Sequence, residues 1–191
     1  MHLKINETDY FTNYAGSNLS YEKSYKQFGL DPHKLILAFQ KARIEVRTII
    51  DLGCARGLTI EDLRDFGFEA FGVELFESEL AKASTEIRPF IDQMDMRDIS
   101  QLPKNSFDVA YINSTMYLSE KEIKKFLKDL RKPIQKGIYL MNPYTDEPET
   151  IPDDKHRVTL KSKKWWLKLL KKNGWIYVRG TDFYFFKKVS K

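Results

Sequence analysis

The segment Asp51-Leu52-Gly53-Cys54-Ala55-Arg56-Gly57 places an acid and two glycines directly after the apolar run Thr48-Ile49-Ile50. Glycine at such a turn permits positive φ and close approach of the backbone to a ligand. The helix expected next, over residues 58–66, offers unpaired N–H groups in its first turn. The spacing is G-x-A-x-G, so neither the dinucleotide fingerprint G-x-G-x-x-G nor the phosphate-cradling G-K-[ST] loop is present. Seventeen residues after Gly57, Glu74 ends an apolar run. A carboxylate there can accept hydrogen bonds from both hydroxyls of a ribose. Asp95-Met96 follows a third, weaker run: the acid can accept from an adenine amino group while the next backbone N–H serves a ring nitrogen. Each of these also has a plain reading, as a turn, a surface acid and a loop acid.

Strands are expected at residues 48–50, 69–74, 89–94, 107–112 and 138–141, the last preceded by Gly137. Helices alternate with them. Asp31-Pro32 opens one, with the acid as N-cap and proline at the first helical position. Others are expected over 58–66, 77–86, 119–130 and 162–172. Ser119 and Glu122 have capping-box spacing, Ser162 caps the last helix, and Asn173-Gly174 stops it. In that helix Trp166, Leu169 and Leu170 fall on one side and the lysines largely elsewhere. Two final runs, 175–178 and 183–186, read as an antiparallel pair. Such alternation indicates a mainly parallel sheet with helices on both faces, which binds ligands beyond the carboxyl ends of its strands. The first 30 residues, with Tyr10, Tyr14, Tyr21 and Tyr25, have no clean period and read as a lid or short helix. Residues 142–161 read as a long loop.

At 191 residues the chain is long enough for one domain with a real core. Its 14% aromatic content excludes a disordered class. Cys54 is the single cysteine, so no intrachain disulfide can form; it reads as a small buried filler. No run approaches the roughly 18–20 apolar residues of a membrane helix, and the N-terminus lacks an apolar signal core, so a cytoplasmic protein is expected. The three histidines have no metal-ligand spacing. Charge is uneven: from Lys155 onward there are twelve Lys/Arg and one acid, or +11, against −6 for residues 1–154. Either a solvated face or a nucleic-acid-binding one has this composition.

Together the glycine loop, Glu74 and Asp95-Met96 resemble the class I S-adenosylmethionine-dependent methyltransferases, over a span from about Ile49 to the end. Leu130-Arg131-Lys132-Pro133-Ile134-Gln135-Lys136-Gly137 resembles the turn before that family's fifth strand, and Leu169-Leu170-Lys171-Lys172-Asn173-Gly174-Trp175 a stretch near its end. The resemblance implies an α/β three-layer sandwich: a Rossmann-like, seven-stranded, mainly parallel sheet with an antiparallel C-terminal strand. Residues 46–191 would be the methyltransferase domain, preceded by an N-terminal helical or lid segment, 1–45. S-adenosylmethionine is the implied cofactor, held by Asp51, Gly53, Cys54, Ala55, Gly57, Glu74, Leu75, Asp95, Met96 and Asn113. Ala55 stands where glycine is usual, a variant the family tolerates.

Tyr117 stands where small-molecule members often carry histidine, and His156 resembles a histidine before the last helix; these are the catalytic candidates. An imidazole can take a proton near neutral pH. The resemblance implies a small-molecule acceptor, with two alternatives: an RNA or protein methyltransferase using the basic C-terminal face, or a catalytically silent partner subunit of the same fold. Met141-Asn142-Pro143-Tyr144 resembles the N-P-P-Y box of amino-group DNA methyltransferases. It follows strand five rather than strand four and has one proline, so that reading is rejected.

Overall fold

The computed structural model describes residues 21–142, 144–145, 156–182 and 184–189. Two helices come first, α1 (Tyr21–Phe28) and α2 (Pro32–Ala42). Asp31 caps α2, accepting from the His33 N–H at 3.0 Å, as Asp-Pro predicts. Then follow β1 (Thr48–Leu52), α3 (Leu58–Asp65), β2 (Glu69–Glu74), the single turn α4 (Glu77–Leu80), β3 (Ile91–Gln93), β4 (Phe107–Ile112), α5 (Glu120–Asp129), β5 (Ile134–Leu140), α6 (Lys163–Lys172), β6 (Trp175–Tyr177) and β7 (Phe185–Lys188).

One seven-stranded sheet runs in the order β3-β2-β1-β4-β5-β7-β6. Strands β1 to β5 pair in parallel, and β7 is inserted antiparallel between β5 and β6. This is the expected α/β arrangement. The central strands β1, β4 and β5 are largely buried on both faces because a helical layer covers each. On one face β1, β4 and β5 pack their alternate residues with α5 and α6, through Ile123, Phe126, Leu127, Trp166 and Leu170. On the other they meet α2 and α3 through Leu35, Phe39, Ile60 and Leu63. Ser119 and Glu122 make the full capping box of α5. Ser162 caps α6, whose buried residues are Trp166, Leu169 and Leu170.

Three elements differ from expectation. The helix expected over 77–86 stops at Leu80, where Ser84 takes over, its carbonyl accepting from the Ile87 and Arg88 N–H groups and its hydroxyl from that of Ile87. The third strand shrinks to Ile91–Gln93, because Pro89 sits in a 3₁₀ turn, Arg88–Phe90. Strand β5 starts at Ile134, so Gly137 lies inside it rather than before it. A Cβ there would lie 2.4 Å from the Phe185 ring on β7, so the glycine serves close strand packing. Tyr10 and Tyr14, and Phe183 of the last expected run, lie outside the described residues. No helix among the described residues is long and apolar enough to cross a membrane.

Candidate functional site

After β1 the chain turns through Gly53 (φ +83°), Ala55 (φ +48°) and Gly57 (φ +87°) into α3. The turn is fastened to β2: the Gly53 and Cys54 N–H groups both donate to the Val73 carbonyl, at 2.9 and 3.1 Å. A Cβ on Gly53 would come 2.9 Å from Ser114 Oγ, and one on Gly57 2.7 Å from Ile87. Cys54 is buried, with its sulfur facing Gly72 of β2, where a Cβ would lie 2.6 Å from it. It is the small filler the sequence suggests. Ala55 carries a Cβ in the left-handed region, which costs about 1–2 kcal/mol. Its N–H donates to Glu74 Oε2 at 2.8 Å, which holds that conformation.

Glu74 is therefore tied to the loop as well as to its own strand end. Its Oε1 accepts the Phe76 N–H at 2.9 Å. Burial raises its pKa, opposed by the donors from Phe76 and Ala55. Asp51, buried beside it at the end of β1, is pushed up to about 8, first by burial and next, after an opposing hydrogen bond from Thr59, by the charge of Glu74. Among the described residues neither acid forms an ion pair. A cationic guest beside these two buried carboxyl groups would favour the ionised form of Asp51, which the free protein keeps protonated near neutral pH.

The other expected cofactor residues lie at the same edge with different commitments. Asp95 caps a 3₁₀ turn, Met96–Gln101, accepting from the Arg97 N–H at 2.8 Å and from its guanidinium at 2.7 Å. Arg97 also pairs with Glu122 of α5. Met96 Sδ lies 3.2 Å from Ser114 Oγ, which donates to the Leu52 carbonyl. Asn113 is half-buried just beyond β4, and Leu75 is exposed just beyond β2. Tyr117 and His156, far apart in sequence, belong to segments the fold joins: the Val158 and Thr159 N–H groups both donate to the Met116 carbonyl, at 2.8 and 3.0 Å.

Two clusters escape sequence reasoning. Arg56, inside the glycine loop, donates to the buried Glu79 at 2.8 Å and to Glu22 of α1, and its guanidinium lies 4.8 Å from the Tyr21 ring. Tyr25 of α1 donates to Asp62 of α3 at 2.7 Å. The helix α1 thus rests on the loop and on the middle of α3. The only hint was a run of tyrosines. The second cluster, Thr115 with Asn142, joins the turn after β4 to the end of β5; its signal was the N-P-Y segment set aside for its position and its single proline.

Residues 50–141 match the family model of the methyltransferase domain. Those residues are similar to a methyltransferase domain, and the seven-stranded sheet they belong to has the methyltransferase fold. Among solved structures, the fold is similar to a SAM-dependent methyltransferase from Archaeoglobus fulgidus, at TM-score 0.61 and 16% identity, covering 81% of this chain and 74% of that one. A SAM-dependent methyltransferase from Aquifex aeolicus gives 0.60 at 18% identity, covering 86% and 90%. The PH0226 protein of Pyrococcus horikoshii gives 0.61 at 21% identity, covering 96% and 97%. No curated protein matches. S-adenosylmethionine is the cofactor of such a domain. The site fits it: a glycine cradle that a Cβ would fill, and an acidic floor suited to a sulfonium and an ammonium group.

Proposed function

We propose that the chain transfers a methyl group from S-adenosylmethionine to a small-molecule acceptor. The observation that carries this reading is the pairing of Glu74 with the glycine loop through Ala55, beside the buried Asp51. When bound, S-adenosylmethionine supplies a methyl group already activated on a sulfonium, so positioning can provide much of the rate. In this reading Gly53, Cys54, Ala55 and Gly57 give the close backbone contact, and Asp51 faces the positive end of the ligand. Glu74 and Leu75 meet the ribose, Asp95 and Met96 the adenine, and Asn113 the space between cofactor and acceptor. Tyr117 orients the acceptor, and His156 takes its proton where the nucleophile is protonated. Calorimetric titration with S-adenosylmethionine, followed by a metabolite screen for S-adenosylhomocysteine release, tests this. Tight binding with no turnover across the screen would favour the silent-partner alternative.

One observation favours a macromolecular acceptor as second reading. The outer side of α6 exposes Lys164, Lys168, Lys171 and Lys172, and none of them forms an ion pair among the described residues. If this face binds RNA, replacing Lys164, Lys168 and Lys171 together flattens the salt dependence by roughly one unit of slope per lost phosphate contact. If it is a solvated face, turnover and stability stay unchanged.

A further inference from the structure

Thr115 is fully buried and donates its hydroxyl to Oδ1 of Asn142. Asn142 is only 9% exposed, and its Nδ2 has no hydrogen-bond partner among the described residues. An amide nitrogen carries two N–H donors, and leaving them unmet inside a protein is costly enough that native cases call for an explanation. In the structure this bond occupies the amide oxygen and leaves the N–H end over. The oxygen is taken, so what remains is a donor.

The position of this donor points to a ligand. Met141, just before it, still donates its N–H to Ile112 at the end of β4, at 2.8 Å. Asn142 and Thr115 therefore lie beyond the carboxyl ends of β5 and β4, the side on which open α/β sheets bind ligands. Next to Thr115, the Met116 carbonyl holds the segment that begins at His156. From His156 to Lys163 that segment contains Arg157, Lys161 and Lys163 and no acid. Glu120 of α5 is already engaged by Lys161 at 2.5 Å. A buried N–H donor beside a positively biased segment selects an oxygen that carries negative charge.

We propose that Asn142 Nδ2, oriented by Thr115, receives a carboxylate oxygen of the methyl acceptor. The proposal rests on the small-molecule methyltransferase reading and narrows its substrate class to carboxylic acids. It also gives Asn142 of the N-P-Y segment a use that owes nothing to DNA chemistry.

The probe is benzoate, titrated to millimolar concentration into full-length protein saturated with S-adenosylhomocysteine, with benzyl alcohol as the uncharged control. The readouts are the side-chain amide resonance of Asn142, assigned by its loss in Asn142→Asp, and the calorimetric affinity for benzoate, which is measured for wild type and variants alike. Benzoate is expected to shift that resonance saturably, with benzyl alcohol at least about tenfold weaker. Asn142→Asp, which sets a carboxylate against a carboxylate, should weaken benzoate by about tenfold or more while S-adenosylhomocysteine affinity is unchanged. Thr115→Val should weaken benzoate several-fold by freeing the amide to turn. An Asn142 resonance that ignores benzoate, or equal benzoate affinity in wild type and Asn142→Asp, overturns the proposal. Failure to bind S-adenosylhomocysteine at the outset sinks the methyltransferase reading instead, so the two failures are distinct.

Discussion

Replacing Asp51 by asparagine should stabilise the cofactor-free protein, and by more as the pH rises. The carboxyl group is 3% exposed at the end of β1, and burial, seconded by the charge of Glu74, pushes its pKa from 3.8 up to about 8. In the unfolded chain it reverts to the ordinary carboxylate range. Between those two values the folded state holds a proton that the unfolded state has released. Stability from this group is therefore complete below about pH 4 and is lost as pH rises toward about 8. Each pH unit inside the window is worth about 1.4 kcal/mol. Asparagine cannot ionise, and its amide oxygen can accept the Thr59 hydroxyl bond. From about pH 5 to about pH 7 the stability difference between Asp51→Asn and wild type should grow by about 3 kcal/mol. Urea denaturation followed by tryptophan fluorescence at both pH values measures it. A difference that stays constant across that range would refute the reasoning and place an ionised Asp51 in the folded protein.

Arg56→Ala removes the guanidinium from the fully buried Glu79 and leaves it Lys82 alone; the expected loss is about 3 kcal/mol, recovered in large part by adding Glu79→Gln, both read by denaturation. Gly53→Ala should lower stability by about 1–3 kcal/mol, since φ is +83° and the new Cβ meets Ser114 Oγ, and calorimetry should show weaker cofactor binding. Leu170→Ala, emptying a fully buried position of α6, should cost about 2–5 kcal/mol in the same denaturation assay without changing cofactor affinity.

Much of the sheet was legible because its punctuation is chemical. Asp31-Pro32, Ser119 with Glu122, and Ser162 mark helix starts by the bonds their side chains make, and the structure contains all three. The glycine loop was legible because Gly53 and Gly57 occupy φ values that other residues resist. Glu74 was legible as a strand-end acid, but not its bond to Ala55, which depends on β1 and β2 lying side by side. Gly137 was misread as a strand boundary: glycine also serves where another strand packs close, and the sequence does not say that Phe185 is opposite. Arg56 with Glu22 and Glu79, and Thr115 with Asn142, were invisible for the same reason. Each joins residues more than twenty positions apart, with no local period to betray them.

The central claim is that Glu74 and the glycine loop form the seat of S-adenosylmethionine. The most direct measurement is the calorimetric affinity of S-adenosylmethionine for wild type and Glu74→Ala at neutral pH, with both proteins shown to be folded. Wild type should bind, and the variant should bind more weakly by about 1–3 kcal/mol, the scale of hydrogen bonds to a charged group. Equal dissociation constants for the two proteins would contradict the account.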